Sequence, residues 1–272
     1  MVNSFYPRTL DEALTVLSEN RAVPYAGGSD IMTGKPREEP FVFIGELPEL
    51  KGIYESGGRI HIGACTTFSE GLKTPLLPTL LRKAAEVTSS PAVRNVGTFG
   101  GNLANGAGKA DSVVADFALD AVLEIRSAKE TRYVSVEKFY FGRKNVDLKP
   151  EELITEIIVP AKDYGENLFF EKVSTRNSLA ISNVAIGAVW EHDGETLKSI
   201  AIAVGAAGDT VLRCRDLEEK ISGRTFSEIA VVRDEMISEY RNRMQFPLDR
   251  TTINYRKQVC SSLIGHILSV CT

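Results

Sequence analysis

The feature that most constrains this chain is the stretch at 95–112, NVGTFGGNLANGAGKADS, with five glycines in eighteen residues and few large side chains. It shows neither the 3.6-residue period of a helix nor the alternation of a strand. The spacing therefore predicts a long irregular loop, and such loops inside compact domains are uncommon and often functional. An ordinary surface loop would carry larger and more highly charged residues. Thr98, Asn102 and Asn105 can hydrogen-bond a polar ligand. Asp111 can accept from ribose hydroxyls, or it can cap the helix that follows. At this level ligand binding and a structural loop remain equally open. A second, shorter pair, Tyr25-Ala26-Gly27-Gly28-Ser29-Asp30, follows a strand candidate. Paired glycines let successive N–H groups point into one concavity that binds phosphate without a lysine. Alone, Gly-Gly after a strand is usually only a turn. Neither loop is a dinucleotide fingerprint, because GxGxxG is missing and so is the alternating strand–helix series of a doubly wound sheet.

Composition narrows the chemistry. The chain has 272 residues, 43% hydrophobic and 25% charged, which suits a globular protein of one or two domains. With 32 basic and 36 acidic side chains the net charge is −4, which argues against a broad nucleic-acid surface but not against a small anionic ligand. No apolar run approaches the roughly 20 residues of a membrane span, and residues 1–8 lack a signal core, so a cytoplasmic location is expected. The four cysteines form no CxxC and the three histidines are scattered, so no metal ligands are expected. No GxSxG elbow is present. No side chain is expected to act as a catalytic group, so any chemistry must come from a cofactor or from partners.

The pattern reads as α+β in three lobes, 1–52, 53–163 and 164–272. Thr9-Leu10-Asp11-Glu12 is a capping box, and Leu10, Ala13, Leu14 and Leu17 form the stripe of the helix behind it. Strands are expected at 21–25, 41–44, 59–64, 121–127, 131–136 and 153–159, and helices at 76–87 and 111–119. The polar stretch 161–167 reads as a boundary. Beyond it, strands at 169–174, 183–191 and 197–206, with an Asp193-Gly194 hairpin turn, predict a three-stranded antiparallel sheet. Helices at 212–221, 226–244 and 254–270 are expected to cover one face of it.

Six segments, in order, resemble one family, the FAD-binding subunits of the molybdenum hydroxylases. AGGSD at 26–30 is similar to the family's AGGTD-type first flavin motif. VRNVGTFGGNLANGAGKADS at 93–112 is similar to its second motif, an RN-x-GT-x-GGN run ending in an Asp. HIGACTTFSE at 61–70, ELITEIIVP at 152–160, FFEKVSTRNSLAIS at 169–182 and GAAGDTVLRCRDLEE at 205–219 resemble further family segments. Within the family the nearest likeness is to bacterial xanthine dehydrogenase FAD-binding subunits, followed by those of nicotinate and carbon monoxide dehydrogenases.

The resemblance implies non-covalent FAD in a fold of the vanillyl-alcohol oxidase type, held between two α/β lobes with a C-terminal domain over the flavin. Ala26 opens the run Gly27, Gly28, Ser29 and Asp30 that would hold the pyrophosphate. Thr98, Gly100, Gly101 and Asn102 would complete the phosphate and ribityl contacts. Ala104 and Asn105 would lie near the isoalloxazine, with Asp111 on the ribityl or adenosine side. Ile154 would pack on the ring, and Lys172 would reach the flavin's polar edge and favour its anionic reduced form. The chain departs from the family at Ser29, in place of Thr, and at Gly108-Lys109-Ala110 before Asp111. At Thr210 a Pro is common. No cysteine cluster suggests the extra 4Fe–4S cluster of one branch. A covalent flavin link is not expected, since neither loop holds a His or Cys. The implied partners are a molybdopterin-binding large subunit and a 2Fe–2S small subunit, with NAD or another acceptor taking electrons from the flavin. Two alternatives stay open: a non-enzymatic assembly factor that kept the fold, and a stand-alone flavin reductase.

Overall fold

The computed structural model describes residues 4–34, 38–175, 182–246 and 252–271. Its first half runs α1 (Leu10–Glu19), β1 (Val23–Tyr25), β2 (Phe41–Phe43), β3 (Ile53–Ser56), β4 (Arg59–Gly63), α2 (Phe68–Lys73), α3 (Thr79–Val87), α4 (Pro91–Arg94), α5 (Phe99–Ala104) and α6 (Asp111–Ala118). There follow β5 (Val122–Arg126), β6 (Thr131–Ser135), α7 (Val136–Phe139), β7 (Tyr140–Gly142), β8 (Asn145–Val146) and β9 (Leu153–Pro160). The last part is β10 (Leu168–Ser174), β11 (Ser182–Asp193), β12 (Thr196–Gly205), β13 (Leu212–Arg213), α8 (Arg215–Ile221), α9 (Phe226–Arg243) and α10 (Ile253–Val270). Two compact units result. One comprises Met1–Pro78, Thr88–Ala107 and Asp120–Lys162, the other Thr79–Val87, Gly108–Leu119 and Asp163–Thr272.

In the first unit α1 forms for the reasons its sequence suggests, with one change. Thr9 Oγ1 accepts the Glu12 N–H at 3.2 Å, but the Glu12 carboxylate takes the N–H of Arg8 at 2.7 Å, so only half of the expected box closes. Leu10, Ala13, Leu14 and Leu17 bury against Val42, Ile44, Leu47 and Leu50 and anchor the parallel pair β1–β2. The larger sheet has the order β3-β4-β9-β5-β6 with every pairing antiparallel. Its middle strand β9 is buried on both faces, which explains the unbroken apolar run Ile157-Ile158-Val159. Strand β3 and helix α2 escaped the sequence reading although their signals are present. Gly57-Gly58, both at positive φ, turn β3 into β4. Thr67 and Glu70 form a complete capping box on α2. The helix expected at 76–87 starts only at Thr79, because Pro78 holds Leu77 out of helical conformation.

The expected irregular loop at 95–112 is the main correction. Residues 99–104 form α5, with Thr98 Oγ1 accepting the Gly101 N–H at 3.0 Å as its cap. Phe99 and Leu103, one turn apart, are buried and hold the helix by tertiary packing in spite of its two glycines.

In the second unit the sheet has four strands, β10-β11-β12-β13, all antiparallel. The helix expected over 212–221 is split, since Leu212–Arg213 adds the fourth strand and α8 starts at Arg215. Gly194, at φ 55, closes the β11–β12 hairpin as expected. Ile186, Ala188, Ile202 and Val204 pack with Met236, Tyr240, Ile264 and Ile267 of α9 and α10. The helices are not confined to that face. Gly187 and Gly205, on the alternate register, meet Val114 of α6, and a Cβ at Gly205 would sit 2.5 Å from Val114 Cγ2. All eight residues of α6 are buried, including Asp116.

Candidate functional site

A cavity of about 580 Å³ opens within the first unit, and both glycine loops line it. Its wall includes Ala26, Gly27, Gly28, Ser29 and Asp30 from the first loop, Thr98, Gly100, Gly101, Asn102, Ala104 and Asn105 from the second, and Ile154 from β9. Twelve of the fourteen residues singled out from sequence are thus brought together. The two loops meet backbone to backbone. A Cβ at Gly27 would run into the carbonyl oxygen of Val96, and one at Gly97 would lie 3.4 Å from Ser29 Oγ. Gly28 has φ +71, and the Tyr25 ring occupies the place of its missing Cβ. Only glycine satisfies both demands.

The loops differ in their hydrogen bonding. In the second, the N–H of Phe99 bonds Thr66 O at 3.1 Å, Gly100 bonds Ala64 O at 2.9 Å, and Asn102 bonds Thr98 O at 3.0 Å. That loop offers the cavity side chains and bare helix surface. In the first, no described residue accepts from the backbone N–H of Gly27, Gly28, Ser29 or Asp30. Four consecutive donors in a cavity wall fit a phosphate-bearing ligand. The cradle and its donors therefore suit the diphosphate of a dinucleotide.

Some lining residues were not singled out from sequence. Glu152, at the start of β9, is buried in the wall and accepts from Arg132 Nε and Nη2 at 2.9 and 2.8 Å and from the Lys149 N–H at 2.9 Å. Burial pushes its carboxyl up, but those donors outweigh burial and hold it below the usual value. Its place at the head of the ELITEIIVP segment was the available signal. Cys65 also lines the cavity, and burial pushes its thiol up to about 12, so it stays protonated. Lys144, in the β7–β8 turn, reaches Asp30 and Asn105, and no sequence motif marked it.

Asp111 and Lys172 are not among the residues lining the cavity. Both belong to the second unit, where Lys172 Nζ lies 2.6 Å from Asp111 Oδ2 and 2.9 Å from Val87 O. Ser182 Oγ donates to Asp111 Oδ1 at 2.6 Å. Burial dominates and leaves the Asp111 carboxyl above its usual value in spite of Lys172 and Ser182. Asp111 is the first residue of α6 and makes no side-chain cap there. Most of the run between Lys172 and Ser182 in the FFEKVSTRNSLAIS segment, residues 176–181, lies outside the described residues. Among the described residues no group of His, Cys, Asp and Glu is placed to hold a metal, and no helix is long and apolar enough to cross a membrane.

A two-loop cradle in an α+β unit, joined to a second unit built on an antiparallel sheet, defines a chain that binds a nucleotide cofactor. Residues 1–162 match the FAD binding domain in molybdopterin dehydrogenase, and residues 169–269 match the CO dehydrogenase flavoprotein C-terminal domain. The chain belongs to this family: it is an FAD-binding oxidoreductase subunit of the molybdenum hydroxylase type, as the six sequence segments implied. It is 34% identical over 234 residues to the nicotinate dehydrogenase FAD-subunit of Eubacterium barkeri, covering 80% of this chain and 79% of that one. It is 32% identical over 223 residues to the putative xanthine dehydrogenase FAD-binding subunit of Escherichia coli (strain K12), covering 78% and 76%. Carbon monoxide dehydrogenase from Hydrogenophaga pseudoflava has a chain of the same fold, with a TM-score of 0.89, 25% identity and coverage of 97% and 95%.

Proposed function

We propose that this chain takes electrons from a 2Fe–2S partner subunit and passes them, through non-covalent FAD, to NAD or another acceptor. A molybdopterin-binding large subunit would carry out the hydroxylation in the cytoplasm. When bound, FAD supplies the redox chemistry, since it accepts single electrons and releases a pair. The observation that carries the reading is the row of four N–H groups at Gly27, Gly28, Ser29 and Asp30, in residues lining the cavity, from which no described residue accepts. On this reading these amides hold the pyrophosphate. Thr98, Gly100, Gly101 and Asn102 shape the phosphate and ribityl path, Ala104 and Asn105 lie near the isoalloxazine, and Ile154 gives it an apolar wall. The lobes 1–52 and 53–163 then flank the cofactor, and 164–272 is the C-terminal domain. Flavin contacts by Asp111 and Lys172 rest on the family resemblance alone. The protonated thiol of Cys65 agrees with a cofactor held without a covalent bond.

The test is the visible spectrum of the purified chain before and after acid precipitation. A flavin spectrum that moves wholly into the supernatant is expected. A colourless chain that also refuses added FAD would overturn the reading and favour an assembly factor. Co-purification with molybdenum and iron–sulfur chains distinguishes the proposed subunit from a stand-alone flavin reductase.

A further inference from the structure

The turn joining β7 to β8 places a cation across the two glycine loops. Lys144 sits at φ 58, in the left-handed region that side chains other than Gly, Asn and Asp rarely adopt. The second loop holds it there. Its N–H donates to Gly106 O at 2.8 Å, and Gly106, itself at φ +66, packs so closely that a Cβ would lie 2.9 Å from Lys144 Cα. From this anchor the ammonium contacts Asn105 Oδ1, at the end of α5, and lies 3.5 Å from Asp30 Oδ2 in the first loop. Asp30 and Asn105 both line the cavity, whereas Lys144 is not among its lining residues. The contacts are half exposed, with side-chain accessibilities of 54% for Lys144 and 64% for Asp30.

Asp30 poses an electrostatic problem. Its carboxylate belongs to the same run of residues as the amides assigned to the pyrophosphate, so it would repel the anion those amides attract. A cation on that carboxylate cancels the repulsion and also ties the first loop to the second. We infer that Lys144 is a positioning residue of the dinucleotide site: it clamps the two glycine loops together and neutralises Asp30 against the ligand's diphosphate. This inference rests on the reading of the cavity as the FAD site. The strained backbone at 144 fits the role, because a glycine there would relax the turn but would lose the clamp.

The experiment is fluorescence titration of the full chain with FAD after flavin removal, alongside thermal melting of each variant. Lys144→Met should weaken FAD binding about three- to fivefold, the upper part of the range of an exposed ion pair. Lys144→Gly should weaken it as much while raising the melting temperature, because the left-handed strain is gone. A purely structural lysine would move stability and affinity in the same direction. Lys144→Arg should stay within about twofold of wild type. Asp30→Asn added to Lys144→Met should restore part of the lost affinity, because the charge is removed while the clamp stays broken. Lys144→Met with wild-type affinity, or a double variant with no recovery, overturns the inference while leaving the FAD site intact. A wild-type chain that takes up no FAD overturns the cavity assignment, and the inference falls with it.

Discussion

Among the described residues, the cavity wall and helix α6 both hold polar groups without partners, and the same condition has opposite meanings in the two places. In the wall, no described residue accepts from the N–H groups of Gly27 to Asp30, and these residues line a space large enough for a ligand, so we read their unmet capacity as a binding site. In α6, Asp116 is fully buried and its Oδ1 finds no partner, so its unmet capacity is a cost to folding. Five residues earlier on the same helix, Asp111 shows how the second unit handles a buried carboxylate when it can, with Lys172 and Ser182 on its two oxygens. Glu218 is treated likewise, taking the Ile202 N–H at 2.8 Å and Arg213 Nε at 2.6 Å. An unpaired polar group therefore marks function only where a cavity accompanies it.

The contrast can be broken first at the ion pair. Lys172→Met would leave Asp111 buried with Ser182 alone, and stability in urea should fall by about 3 kcal/mol, as for other broken buried pairs. A loss below about 0.5 kcal/mol would show that the pair is better hydrated than its burial implies.

Asp116 should behave in the opposite way. Burial pushes its carboxyl up to about 8, while the unfolded chain titrates near the ordinary value, so folding takes up a proton between about pH 4 and pH 8. Stability contributed at this site is greatest at and below about pH 4 and falls as pH rises toward 8. Asp116→Asn removes the titration, and its advantage over wild type should grow with pH to about 4 kcal/mol at pH 7. Denaturant melts of both proteins at pH 5 and pH 8 measure this. An advantage that is independent of pH would mean Asp116 ionises freely in the folded chain.

Two glycine substitutions sharpen the account of the cavity. Gly27→Ala drives a methyl into the Val96 carbonyl and should separate the loops, lowering FAD affinity at least about 100-fold with some loss of stability. Gly101→Val meets a milder obstacle, Thr98 Oγ1 at 2.7 Å, and should keep the chain folded while flavin retention is lost. Stoichiometric FAD in a purified Gly101→Val chain would remove α5 from the site.

The smallest effect is expected at Tyr240, whose hydroxyl is also buried without a partner. Tyr240→Phe deletes the polar atom and keeps the ring, so the melting temperature should be unchanged or slightly raised. A loss of more than about 1 kcal/mol would reveal a partner for the hydroxyl.

Much of this arrangement was legible in the chain. The stripe of α1, the Asp193-Gly194 hairpin and the two long C-terminal helices α9 and α10 follow from local periodicity and turn chemistry, which need no knowledge of distant contacts. The small-residue loops stood out because close backbone approach and polar lining leave a compositional trace, whereas Ile154 came from the family resemblance alone. Helix α5 was hidden because its glycines lower helix propensity, and only the burial of Phe99 and Leu103 outweighs that. Strand β13 was hidden because two residues carry no period. Lys144 lay in no motif, and its contacts are with residues 39 and 114 positions away.

By itself the sequence determined the class of this protein: two glycine loops, six ordered family segments, and no cysteine or histidine grouping that would support another chemistry. These are properties of residue type and order, and they survive any rearrangement of distant parts. Only the tertiary structure decided which glycine N–H groups remain available, because each amide's partner is supplied by chain far away, as Ala64 and Thr66 are for Gly100 and Phe99. It alone decided that Asp111 and Lys172 bond each other, and that Asp116 has no such neighbour. A charge's worth is set by burial and by what stands beside it, and neither is written locally in a chain.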